Sequence, residues 1–462
     1  MFMNMENSKR NTTGKKICSN SKKQIKQQVA EIMVLTLTIL ILAGSIYFLI
    51  NFQTEIESLQ LAFLSTPLGK TLVVTSTILL TIKLCFLLFN LVLYAFYKET
   101  KMVEDDALPS CTVIVPAYNE GELVYHTLQS IVTSDYPTNK LEIITIDDGS
   151  KDDTWYWMSK AKIAFGDRIM LHKQPKNMGK RQALYYGFKK AKGAIVVTID
   201  SDSIIEKNTL RSLNSPFALN KTCGAVAGNV KVLNTANAMI PKMLNVSFTF
   251  SFEFIRSAQS AIGSVFCTPG ALAAYKKSAV LSVLDRWINQ TFLGKPSDIG
   301  EDRALTNMIL KQGYEVVFQK NAKVFTNTPE RYKNLYKMYI RWERSNIRET
   351  LMMSKFAFTN FRNGSKLGTR IILIYQWMQL LFTFPMLLAM LSLFIAFPVA
   401  SMLTTLVGII LFSSIQMLFF AKKHSLSASL WAYPYSLFYA FSLFWITPYS
   451  IATAGKSGWL TR

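Results

Sequence analysis

The stretch Gly193–Glu206, "GAIVVTIDSDSIIE", decides the fold. Ile195 to Ile199 is an unbroken β-branched run, the pattern of a strand covered on both faces. It stops at Asp200 and Asp202, with Ser201 between them. Aspartate often ends a strand by capping the next turn, so one such pair says little. The neighbouring segments say more. "CTVIVPAY" (111–118), "LEIITIDDG" (141–149) and "RIMLHKQ" (168–174) read as further strands. Helical patterns follow them at 121–134, 150–165 and 180–191, the second with Ser150 as its expected N-cap. Strands alternating with helices predict a mostly parallel sheet covered on both faces, with ligands bound outside the carboxyl ends of the strands. The polar groups gather there: Asn119 and Glu120, Asp147 and Asp148, Asn177 to Arg181, Asp200 and Asp202. Several such clusters at successive strand ends read as a site.

Outward from this region the chain changes character. It has 462 residues, half of them hydrophobic, and a formal net charge of +22. Apolar runs at about 29–51, 72–96, 371–394, 399–420 and 427–451 are long enough to cross a bilayer. They predict five crossings, and a sixth if Pro434 and Pro448 split the last run. Basic residues from Lys9 to Lys26 place the N-terminus in the cytoplasm by the positive-inside rule. The expected organisation is therefore a basic tail (1–28), two transmembrane helices (29–97), a cytoplasmic domain (98–330), amphipathic interface helices (331–368) and C-terminal transmembrane helices (369–462). Such a chain belongs in the plasma membrane with its catalytic domain inside. The surplus of lysine and arginine then faces anionic lipid. Away from the membrane runs no basic patch is interleaved with aromatics, which argues against nucleic acid. The five cysteines and three histidines are scattered, so neither a zinc cluster nor a disulfide framework is expected.

Two carboxylates one residue apart suit a hard cation such as Mg²⁺ or Mn²⁺, which also binds substrate phosphates. "KNMGKRQAL" (176–184) offers Lys180 and Arg181 after a glycine at a helix start, a setting that favours phosphate. The P-loop and dinucleotide patterns are absent from the sequence. "DIGEDRALTNMIL" (298–310) sets Glu301 and Asp302 at a helix start, where acids also sit for the macrodipole alone. "RYKNLYKMYIRWERSNIRETLM" (331–352) is amphipathic, with Leu335, Met338, Tyr339 and Trp342 on one face and Arg341, Arg344 and Arg348 on another. It reads as a helix at the bilayer surface that adds an arginine for phosphate and a tryptophan for a sugar ring.

From Cys111 to Arg462 the chain resembles the membrane-embedded family 2 glycosyltransferases, which include hyaluronan, chitin, cellulose and poly-N-acetylglucosamine synthases. The motifs "VPAYNE" (115–120), "DDGSKDDT" (147–154), "NMGKRQA" (177–183), "DSD" (200–202), "GED" (300–302) and "RW" (341–342) occur in family order. "GEDRALTN", "RWERSNIRE" and the terminal "GWLTR" look most like hyaluronan synthases and their bacterial relatives. The resemblance implies a GT-A fold and an inverting, metal-dependent transfer from a UDP-sugar (UDP-N-acetylglucosamine, with UDP-glucuronate for a hyaluronan synthase) to a growing polysaccharide. It assigns Pro116, Ala117, Tyr118, Glu120 and Asp148 to the uridine. Lys180, Arg181, Asp200, Ser201 and Arg341 fall to the rest of the nucleotide, and Asp202 with Asp200 to the metal. Asp302, next to Glu301, becomes the catalytic base. Cys267, in "FCTPGALAAYK" (266–276), and Trp342 become acceptor contacts, and Trp459 and Arg462 the C-terminal motif.

Two positions depart from the pattern. Met338 stands where Q-x-x-R-W has glutamine, and Leu460 where W-G-T-R has glycine. The family keeps its ending cytoplasmic, which favours a last apolar run that turns back. The leading expectation is a processive synthase that exports an N-acetylglucosamine polymer. A single-sugar transferase acting on a polyprenyl phosphate is a second expectation, disfavoured by the RW helix. A non-catalytic scaffold is a third, supported only by Met338 and Leu460.

Overall fold

The computed structural model describes residues 3–456, with side chains from residue 25 onward except at 55, 56, 59, 60, 62, 63 and 68. Ten strands run in chain order: β1 Cys111–Ala117, β2 Leu141–Asp147, β3 Ile169–Lys173, β4 Ile195–Ile199, β5 Ser203–Ile205, β6 Cys223–Val232, β7 Leu272–Lys276, β8 Thr291–Phe292, β9 Lys295–Pro296 and β10 Glu315–Thr326. Eight form one sheet in the order β3-β2-β1-β4-β7-β6-β10-β5, and β8 and β9 form a small hairpin. The pairs β3/β2, β2/β1, β1/β4 and β6/β10 are parallel, and β7 runs antiparallel to both β4 and β6. The sheet is thus mostly parallel and GT-A-like. β1 and β4 are buried along their whole lengths, which is why they are written in β-branched and small residues. The helices Leu123–Val132, Thr154–Phe165 and Lys180–Lys190 follow β1, β2 and β3, as the alternation predicted.

Among the described residues four helices have the length and hydropathy to cross a membrane: Ile25–Asn51, Gly69–Phe96, Leu367–Ala396 and Pro398–Ala421. The last apolar run takes the split form that Pro434 and Pro448 allowed. Residues 427–451 break into Ala432–Ser442, of 11 residues, and Ile446–Ala452, of 7. Neither approaches the roughly 20 residues of a span. Pro434 and Pro448 each sit in the first turn of one of these helices, where the missing N–H costs nothing.

The amphipathic segment forms the helix Tyr332–Ala357. Its second face is not free for a bilayer surface. Arg344 and Arg348 are buried, and they donate to Thr453 Oγ1 and to the carbonyls of Ala454 and Lys456. Residues 453–456 thereby lie against this helix. Polar contacts also join the sheet domain to the apolar helices: Lys242 to Glu31 at 2.5 Å, and Arg303 Nη2 to Gln376 Oε1 at 3.1 Å.

Candidate active site

The site lies at the carboxyl ends of β1, β2 and β4. After β1 the chain turns sharply, with Asn119 at φ 53°, and its side chain accepts from Lys151 N at 2.9 Å. Pro116 and Ala117 are the buried end of β1, and Tyr118 and Glu120 begin the turn half-buried. The backbone N–H groups of Glu120 and Gly121 both donate to Thr154 Oγ1, at 2.8 and 2.9 Å. Thr154, missed by the sequence reading, therefore fixes this loop; its signal was the last letter of "DDGSKDDT". Ser150 is not the N-cap of the helix Thr154–Phe165, because it lies three residues before the N-cap position, which Asp153 fills. Its N–H donates to Asp147 Oδ1 and its hydroxyl accepts from Asn119 N.

Asp148 is buried and bidentate to backbone, accepting from Met178 N at 2.7 Å and Gly179 N at 2.9 Å. It thereby fastens the Asn177–Gly179 loop that leads into Lys180. Burial raises the Asp148 pKa, against those two backbone donors.

Lys180 is the centre of the arrangement. Its ammonium lies 2.5 Å from Asp200 Oδ1 and 3.4 Å from Glu301 Oε1, joining the end of β4 to the start of the helix Glu301–Lys311. Burial alone would lower its pKa, but Asp200 and Glu301 outweigh burial and hold it above the ordinary lysine value. A Cβ on Gly270 would come within 2.8 Å of this ammonium, so a side chain there would push the lysine tip away from Asp200. Arg181 goes elsewhere. It is buried, donates to Trp287 O at 3.0 Å and Gln290 Oε1 at 3.3 Å, and stacks on the Trp287 ring. It braces the start of its helix against Trp287, itself a wall of the cleft that holds Lys180. Ser201 is likewise buried, its carbonyl accepting from Thr127 Oγ1.

Asp302 is the second focus. Its Oδ1 accepts from Arg303 N at 2.7 Å, and the Cys267 thiol lies 3.7 Å from Oδ2. Burial and the neighbouring Glu301 charge raise its pKa, and Lys180 and Arg341 partly oppose them. Burial likewise raises the Cys267 thiol, to about 12, which keeps it neutral. Cys267 and Asp302 are held together by buried hydroxyls. Thr268 N donates to Thr306 Oγ1, which donates to Asp302 O at 2.8 Å, and Thr268 Oγ1 lies 2.8 Å from Tyr275 OH. Gly300 before them is at φ 78° against Ser345. A small cleft, with a cavity volume of about 10 Å³, is lined in part by Lys180, Gly270, Trp287, Glu301 and Asp302. Trp342 is 41% exposed, with Tyr339 edge-on to it at 5.8 Å and Phe248 at 6.0 Å. Met338 is buried in the core beside them. Trp459 and Arg462 lie outside the described residues.

The donor set can be tested for a metal. Asp202 Oδ1 accepts from Ser203 Oγ at 3.2 Å and from Thr326 Oγ1 at 3.4 Å. Asp200 already meets Lys180, and among the described residues no group of three or more His, Cys, Asp or Glu residues converges. Four carboxylates (Asp200, Asp202, Glu301, Asp302) share this edge with two cations, Lys180 and Arg341. A hard divalent ion that takes its remaining ligands from a diphosphate and water fits such a set.

A family model described as "Glycosyltransferase like family 2" matches residues 109–345. The chain belongs to that family. This glycosyltransferase is 34% identical over 251 residues to an N-acetylglucosaminyltransferase of Rhizobium meliloti (strain 1021), covering 54% of this chain and 58% of that one. It is 29% identical over 284 residues to a hyaluronan synthase of Streptococcus pyogenes, covering 60% and 66%. The chain thus spans about three fifths of the length of these relatives. Among solved structures, a mannosyltransferase from Pyrobaculum calidifontis, in complex with GDP-Man and Mn²⁺, superposes with a TM-score of 0.50 at 22% identity, over 81% of this chain and 96% of that one. That likeness concerns the fold.

Proposed function

We propose that this glycosyltransferase is a membrane-embedded, inverting, processive synthase that builds and exports an N-acetylglucosamine-containing polysaccharide from UDP-sugars, in the manner of a hyaluronan synthase. The observation that carries the proposal is Lys180, which ties the D-x-D end of β4 to Glu301 and so sets Asp302 beside Cys267. Donor handling and acceptor activation then meet in one cleft. The four apolar helices support membrane embedding, and relatives named for both N-acetylglucosamine transfer and hyaluronan support the sugar.

In this reading the loop fastened by Thr154 and the segment fastened by Asp148 frame the nucleotide. Asp200 and Asp202 would hold Mg²⁺ or Mn²⁺, which when bound offsets charge on the departing diphosphate. Lys180 adds a fixed ammonium at the same place, in a cleft where water is scarce and such charge counts most. Asp302 takes the proton of the acceptor hydroxyl as that oxygen bonds to the anomeric carbon. The bond from that carbon to the diphosphate breaks, and UDP leaves with the electron pair. Burial suits Asp302 to the task, because a carboxylate with a raised pKa is the stronger base. Trp342 offers the acceptor ring a half-exposed face on the way to the apolar helices.

The test uses purified membranes with Mn²⁺ and labelled UDP-N-acetylglucosamine, with and without UDP-glucuronate. High-mass product only with both donors identifies a hyaluronan synthase. The Rhizobium relative favours a second reading, a poly-N-acetylglucosamine or chitin-type synthase, which gives polymer with UDP-N-acetylglucosamine alone. No transfer from either donor, with UDP still bound, would overturn both.

A further inference from the structure

Glu253 is 3% exposed and lies in the π-helical segment Phe250–Arg256, a rare geometry often found at functional sites. Three ammonium groups converge on it: Lys231 at 2.5 Å, Lys423 at 2.5 Å and Lys320 at 3.9 Å. Asn229 Nδ2 donates to it as well, at 3.3 Å. Glu253 compensates one lysine and Glu99 also acts on Lys320, so three ammonium groups face two carboxylates and the cluster keeps a positive surplus. Burial and the like charge of Lys423 push Lys231 and Lys320 below the ordinary lysine value, the mark of a crowded cationic site.

The location of the cluster narrows the ligand. Lys423 stands two residues past Ala421, where the last membrane-length helix ends. Lys320 lies over the ring of Tyr94, in the final turn of the helix Gly69–Phe96. Tyr94, Phe254 and Phe419 pack against one another, with ring centroids 5.3 to 5.7 Å apart. The lysines therefore cap the ends of two adjacent apolar helices, at the level where a bilayer places its phosphates.

We propose that Lys231, Lys320 and Lys423 form a binding site for a phosphate-bearing anion, supplied by the headgroup of an anionic phospholipid. Glu253 is the template that holds the three ammonium groups in convergence, and phosphate oxygens complete their hydrogen bonds. The aromatic group gives the acyl chains an apolar wall. The inference rests on these helices lying in a bilayer and is independent of the sugar transferred; partition of the wild type into phosphatidylcholine liposomes tests that premise separately.

The experiment titrates the full-length protein in detergent with short-chain phosphatidylglycerol, phosphatidylcholine or inorganic phosphate. It reads the thermal midpoint and, by native mass spectrometry, the number of bound lipids. Phosphatidylglycerol is expected to bind more tightly than phosphatidylcholine. Lys320→Gln combined with Lys423→Gln is expected to weaken phosphatidylglycerol binding about tenfold or more, as two lysines at a membrane surface imply, and to leave phosphatidylcholine unchanged. Lys320→Gln alone, at a more peripheral position, serves if the double variant fails to fold. Stabilisation by inorganic phosphate that is equal in size and lost in the same variant keeps the anion site but overturns its lipid source. No preference for phosphatidylglycerol, or a preference unchanged in the variants, overturns the proposal.

Discussion

The ammonium of Lys180 sits 2.5 Å from the carboxylate of Asp200, in space left open by Gly270. The same group reaches Glu301, so one side chain joins two motifs that lie about a hundred residues apart in the chain. Removing it leaves Arg341 as the remaining cation against Asp200, Glu301 and Asp302. Lys180→Met is therefore expected to lower stability by about 3 kcal/mol and to cut sugar transfer at least about 100-fold. Thermal unfolding and donor turnover measure the two effects, and turnover near the wild-type rate would remove Lys180 from the mechanism.

Gly300 positions the catalytic helix through a different constraint. A Cβ there would lie 1.9 Å from Ser345 Oγ, and its φ of 78° already disfavours any side chain. Gly294, in the β8–β9 hairpin, has a φ of 76° with nothing near its Cβ position. Both Gly→Ala variants share the cost of backbone strain, and only Gly300→Ala adds the overlap. We expect Gly300→Ala to lose about 2 kcal/mol more than Gly294→Ala, together with most activity. Equal thermal midpoints for the two would show that Ser345 moves aside freely.

The acidic limb of the rate should report on Asp302. A base must be deprotonated to act, and burial with Glu301 raises this carboxyl. Activity is therefore expected to fall, as pH drops, at a higher pH than an ordinary aspartate would give. Glu301→Gln removes a like charge, lowers the Asp302 pKa and moves the limb to lower pH. The linked stability runs the opposite way. The raised carboxyl contributes stability that is complete below the ordinary aspartate value and is lost as pH rises through the folded value. A pH-rate profile unmoved by Glu301→Gln would place the limb on another group.

How much of this was legible in the sequence follows from the physics of each segment. β1, β2 and β4 were readable to within two residues, because buried parallel strands need continuous β-branched runs. Asp200, Glu301 and Asp302 stood out as acids at element ends, yet nothing local showed Lys180 spanning them; that contact depends on how β4 and the helix Glu301–Lys311 pack. Arg181 carries the same charge as its neighbour but packs on Trp287 and Gln290. The β6, β7 and β10 half of the sheet was not assigned, since alanine- and glycine-rich runs such as "CGAVAGNVKV" carry no clear period. Residues 427–451 match a span in apolar content, and only Pro434 and Pro448 signalled the two short helices into which the run breaks.

The most direct test of the account is Asp302→Asn, an isosteric change that removes only the ability to take a proton. UDP affinity, measured by calorimetry on the purified full-length enzyme with Mn²⁺, is expected to match the wild type, because no donor contact is assigned to this carboxylate. Transfer of labelled N-acetylglucosamine should fall by about 10²–10⁴-fold, the range a positioned base supplies. Transfer within a few-fold of wild type would contradict the assignment of Asp302 as base and, with it, the mechanism drawn for this cleft.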